Sequence, residues 1–139
     1  MANTAVESGP RLIAFVLPSI PESVPVARFH VRAALGFHGL DEYANDIETI
    51  TSELVTNAVR HVCDDFTETI GIALARAGSP AAVTVIVSDS SPEAPIRRDT
   101  PPDSEQGRGL QIVEALSAHW GWRQQDGGKA IFATLARQV

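Results

Sequence analysis

Cysteine, positive net charge and long apolar runs are all scarce in this chain of 139 residues. Cys63 is the one cysteine, so no disulfide can form within the chain. That favours a reducing compartment, with Cys63 as a small apolar residue. A formal net charge of −6 argues against a duplex nucleic-acid binder, whose phosphate contacts need a basic face. No apolar run approaches the roughly 18–20 residues of a membrane span, and no basic stretch leads into a signal core ahead of Arg11. The expected location is the cytoplasm, without a membrane or direct nucleic-acid contact. Missing too are the Gly-x4-Gly-Lys-Ser/Thr loop, the strand-Gly-x-Gly-x-x-Gly dinucleotide pattern and a serine in a nucleophile elbow. His30, His38, His61 and His119 share no metal-ligand spacing with one another or with Cys63.

What is present suits one globular domain: 44% hydrophobic and 20% charged residues, in a length that two cores would divide too thinly. Residues 1–10 read as a disordered polar arm and 11–139 as the domain. Arg11–Leu17 is a strand, ended by Pro18 and Pro21. Val24, Ala27, Val31, Ala34 and Leu35 recur at helical spacing and predict a helix to Phe37. A second helix is expected from a capping box at Asn45-Asp46-Ile47-Glu48 to about Val62, with Ile47, Ile50, Leu54, Ala58 and Val62 as its buried stripe. Thr67–Arg76 and Ala82–Ser88 form a hairpin around Ala77-Gly78-Ser79-Pro80. After a long irregular stretch to Gln106 come a short helix, Leu110–Ser117, and a second hairpin around Asp126-Gly127-Gly128. Two hairpins rule out a fully parallel sheet. The fold class is α+β, a two-layer sandwich with a mixed, mainly antiparallel sheet and helices on one face.

Glu53 and Asn57 lie one helical turn apart and Arg60 close to the same azimuth, opposite the apolar stripe. A carboxylate, an amide and a guanidinium in a row suit a metal, its phosphates and an attacking hydroxyl, and an amide oxygen suits Mg²⁺. The same row also reads as a solvated polar face. Gly107-Arg108-Gly109 opening a helix is either a turn or a phosphate seat. Asp89, at the end of the strongest strand, is either a turn residue bonding the backbone two residues on or a carboxylate that accepts from an amino group. The alternation Trp120-Gly121-Trp122 sets both indoles on one sheet face for packing.

Taken in order, three blocks resemble the Bergerat-fold (GHKL) ATP-binding domain of histidine kinases and gyrase, and most closely its small bacterial branch, the anti-sigma-factor serine/threonine kinases. Glu53-Leu54-Val55-Thr56-Asn57-Ala58-Val59-Arg60-His61 looks like the N box. Val85-Ile86-Val87-Ser88-Asp89 with Pro92 and Pro95 looks like the first glycine box, and Gly107-Arg108-Gly109-Leu110-Gln111-Ile112-Val113 like the second. Trp120-Gly121-Trp122 and Gly128-Lys129-x-x-Phe132 are also similar to that branch, and the likeness runs from Leu12 to Leu135.

The resemblance implies ATP with Mg²⁺. Asn57 is the implied metal ligand and Glu53 the implied general base. Asp89 is implied to bind the adenine amino group, with Ser91 and Pro95 beside it. Arg60, His61, Gly107, Arg108, Gly109 and Leu110 are implied around the phosphates, with Ile96–Gln106 as the ATP lid. The first glycine box usually carries Gly two residues after its Asp; here that position is Ser91. The implied activity is phosphorylation of a STAS-domain antagonist and sequestration of a sigma factor, in a protein that can pair as a homodimer. The alternative is a nucleotide-binding regulatory module with little or no kinase activity. No phosphorylated histidine or dimerisation helix precedes the blocks, so a complete sensor histidine kinase is not expected.

Overall fold

Five segments of alternating apolar residues form one sheet in a computed structural model that describes residues 10–60, 68–77, 82–91 and 108–136. They are β1 (Arg11–Pro18), β2 (Thr69–Ala77), β3 (Ala82–Asp89), β4 (His119–Gln125) and β5 (Gly128–Ala136), in the order β1-β2-β3-β5-β4. All four pairings are antiparallel, so the mainly antiparallel sheet has no parallel pair among the described residues. Among the described residues three α-helices cover one face: α1 (Ser23–Phe37), α2 (Ala44–Arg60) and α3 (Arg108–Leu116). Residues 1–9 of the polar arm, Val62 and Cys63, residues 78–80 of the first hairpin's turn and the proposed lid lie outside the described residues.

α2 is the middle of the helical layer. It packs between α1 and α3 and lies over β2, β3 and β5, while α1 crosses β1 and α3 crosses β4. Its stripe of Ile47, Ile50, Leu54 and Ala58 is buried, as the spacing predicts. Below it, Val83, Val85 and Val87 of β3 stand opposite Leu135, Ala133 and Ile131 of β5, and all six join the main core. Side chains alternate across a strand, so this row defines which residues of β3 and β5 face the helices. Trp120 and Trp122 pack on the same core, one face for both indoles as expected. The other sheet face carries a smaller cluster of Ala75, Ile86, Ala130 and Phe132. Thr84 and Thr134 are also buried, with hydroxyls 2.8 Å apart.

The capping box expected at Asn45 does not start α2. A 3-10 turn, Asp41–Tyr43, runs straight into the helix at Ala44, and burial of Tyr43 and Ala44 moves the start ahead of Asn45. The side chains of the supposed box are used elsewhere. Asn45 Oδ1 accepts from Arg32 Nη2 at 2.9 Å and Glu48 Oε2 from Arg32 Nε at 2.6 Å, tying α1 to α2. The hydrogen bond to Glu48 raises the Arg32 pKa above its ordinary value. The second hairpin turns on Asp126 and Gly127, both with positive φ (44° and 80°), the backbone of a two-residue type I′ loop.

Candidate functional site

α2 carries Glu53 and Asn57 to the margin of its buried stripe. Asn57 follows Ile50 by nearly two full turns, so it sits about 20° from Ile50 and Glu53 about 60° away. The pair is therefore not opposite the stripe, as first expected, but on its flank, and both residues are half-buried. Asn57 Oδ1 is buried and has no hydrogen-bond partner among the described residues. A solvated polar face does not account for that oxygen. An unmatched buried acceptor costs about 1–3 kcal/mol, and an amide oxygen is the kind of hard donor that Mg²⁺ takes. Asn57 thus fits a metal ligand on the chemistry of its unmatched oxygen. Thr51 Oγ1 and Ser19 Oγ are also buried without partners, but a hydroxyl can rotate toward a nearby carbonyl, which an amide oxygen cannot match.

Asp89 closes β3 on the helix-facing row, one rung beyond Val87. Its pairing partner across the sheet is Lys129, one rung beyond Ile131. The core thus ends on an ion pair: Lys129 Nζ lies 3.0 Å from Asp89 Oδ2 and 3.1 Å from Oδ1, with side chains 0% and 2% exposed. Oδ1 also accepts the backbone N–H of Ser91 at 2.8 Å. That contact is the turn bond to the residue two places on, and it leaves the carboxylate on the core face. The two readings of Asp89 are compatible. Ser91 itself is buried.

Gly128 makes this corner possible. A Cβ there would stand 2.0 Å from the Asp89 carbonyl oxygen and 2.9 Å from Ser90 Cα. Only a glycine lets β5 start so close to the end of β3. Lys129 and Gly128 received no site role from sequence reasoning, although a signal was there. In Gly-Lys-Ala-Ile-Phe-Ala-Thr-Leu, Lys129 shares the parity of Ile131, Ala133 and Leu135, and a lysine in a buried row asks for a partner.

Arg108 and Gly109 open α3 rather than preceding it, and Leu110 is buried in the main core with Val113. Leu110 is thus a packing side chain. The N–H groups of that first turn lack intrahelical acceptors, which suits an anion. The side chains of Arg60 and Arg108, and residues His61, Pro95 and Gly107, lie outside what is described. Asn57 and Asp89 share no hydrogen bond; they sit on facing layers, α2 above and β3 below. Two surface grooves open elsewhere. One lies along Arg28, Phe29, Arg32 and Glu48, the other along Tyr43, Asp46, Leu116 and Ala136, and neither carries a residue of this site.

The layered arrangement has a counterpart among known families. The model of the histidine kinase-like ATPase domain matches residues 17–135, a span that holds Glu53, Asn57, Asp89 and Lys129. A comparison with curated proteins finds no match.

Proposed function

The chain belongs to the histidine kinase-like ATPase domain family, and from that premise we propose that it is an anti-sigma-factor serine/threonine kinase. Membership implies ATP, usually with Mg²⁺. The observation that carries the reading is the buried, unpartnered Asn57 Oδ1 on the flank of α2. Asn57 would hold Mg²⁺, which when bound would supply positive charge against the phosphoryl group. Glu53, one turn away, takes the proton of a serine or threonine hydroxyl as its oxygen bonds to the γ-phosphorus. The bond from that phosphorus to the ADP oxygen breaks, and ADP leaves. Asp89 accepts from the adenine amino group, and the first turn of α3 supplies N–H groups to phosphate oxygens.

The acceptor is a STAS-domain antagonist, whose phosphorylation adds about two negative charges at its interface and weakens its grip. Freed of the antagonist, the protein sequesters a sigma factor in the cytoplasm, alone or as a homodimer. A binding module with little kinase activity is the second reading. It draws on Val16 of β1 and on Phe29 and Phe37 of α1, large apolar side chains left exposed where a protein partner can cover them.

The test is calorimetry with Mg-ATP and transfer from labelled ATP to candidate STAS proteins. Asn57→Ala is expected to abolish Mg-ATP binding while leaving the circular dichroism spectrum unchanged. Undiminished affinity removes Asn57 from the metal site. Glu53→Ala is expected to bind ATP but to lose transfer, and retained transfer removes Glu53 from the base role. Wild-type protein that binds ATP and phosphorylates no STAS partner favours the module.

A further inference from the structure

A lysine side chain that is 0% exposed, at the end of an otherwise apolar row, needs a reason. Buried ion pairs seldom add net stability over apolar residues of similar volume, and here Leu135, Ala133 and Ile131 show what the row otherwise holds. The unused valences of the pair supply the reason. Asp89 Oδ1 is taken by Ser91 N–H and Lys129 Nζ, and Oδ2 faces Lys129 Nζ on one side. Each carboxylate oxygen has a pair of acceptor positions, so one remains on Oδ2. Among the described residues the Asp89 carboxylate is the one acceptor of the Lys129 ammonium, which has three N–H groups and so keeps one to direct elsewhere. A buried donor in that state is a ligand contact in waiting.

We propose that Lys129 is a base-reading residue: its ammonium donates to adenine N1 while Asp89 Oδ2 accepts from the adjacent 6-amino group. This rests on the ATP reading above and adds a residue to it. A donor and an acceptor side by side match the adenine edge, where N6–H and N1 are neighbours. In the same pose guanine sets O6 against the carboxylate and N1–H against the ammonium. Both contacts become repulsive, so the pair rejects guanine as well as accepting adenine. Lys129 also holds the carboxylate in place, so the reader is the pair.

The experiment uses the wild-type protein and three nucleotides in calorimetry with Mg²⁺: ATP, 1-deaza-ATP, which lacks the N1 acceptor, and purine riboside triphosphate, which lacks the 6-amino group. Loss of one hydrogen bond to a charged group lowers affinity about 10- to 100-fold. Both analogues are expected to weaken by that factor. If only purine riboside triphosphate weakens, Asp89 reads the base and Lys129 does not, which overturns this proposal alone. If neither analogue differs from ATP, or ATP itself does not bind, the adenine reading fails and this proposal with it. Lys129→Met, where it folds, is expected to bind ATP and 1-deaza-ATP equally. A retained preference for ATP in that variant overturns the contact to N1.

Discussion

Asn57 and Asp89 are both polar groups at the edge of an apolar core, and their surroundings treat them differently. Asp89 is held by Lys129 and the Ser91 N–H and keeps one acceptor position on Oδ2, whereas Asn57 Oδ1 has no partner among the described residues. A residue kept for stability would be satisfied; one kept for a ligand need not be. Asn57→Ala is therefore expected to leave the thermal midpoint unchanged or to raise it, since it removes an orphan oxygen worth about 1–3 kcal/mol. A drop of many degrees in a melting curve would mark Asn57 as structural. Gly128→Ala is expected to do the reverse. Its Cβ meets backbone rather than a flexible side chain, so Asp89 must move, at a cost of about 1–3 kcal/mol. Chemical denaturation and ATP calorimetry should both register the change. Glu53, Asn57 and Asp89 were legible in the sequence as residue types at telling positions. The state of Asn57 Oδ1 was not, because a helical repeat gives azimuth and not the depth of the neighbouring layer.

The elements were legible where period decided them. α1, the stripe of α2 and both hairpins follow from spacing and turn residues, and they appear with ends within a few residues of those expected. α2 starts at Ala44, one residue from Asn45, but Asn45 does not cap it, for a physical reason. Asn45 and Glu48 have capping chemistry, but Tyr43 and Ala44 are buried and extend the helix past them. Tertiary burial outweighs a cap worth about 1 kcal/mol. α2 should consequently be the most sensitive element. Leu54→Ala, at a position with no exposure in the main core, is expected to cost about 2–5 kcal/mol in urea unfolding. On the opposite sheet face, Thr84 and Thr134 bond each other in a buried pair. Thr84→Val alone leaves a buried hydroxyl unmatched and is expected to cost about 1–3 kcal/mol. Adding Thr134→Val should recover part of that loss, which a double-mutant cycle measures directly.

At the scale of the molecule, the candidate site draws on α2, β3, α3 and β5, so it exists only once both layers have docked. A nucleotide that binds this assembly binds the folded chain alone. ATP with Mg²⁺ at a hundred times its dissociation constant should therefore stabilise the protein by about 2.7 kcal/mol, read as a rise in melting temperature. Asn57→Ala should lose that rise. Assembly from distant segments also makes the pocket vulnerable at a place that touches no ligand. The Asp126–Gly127 loop sets which side of β5 each residue takes, through the pairing of Gln124 with Lys129 and of Gln125 with Gly128. A genetic lesion that adds one codon there can shift β5 by one step and turn Lys129 to the outer face. Every side chain of the candidate site would survive in the translated sequence. The pocket would nevertheless present a lone buried anion in place of a matched pair, and a damaged reading would be inherited from a turn.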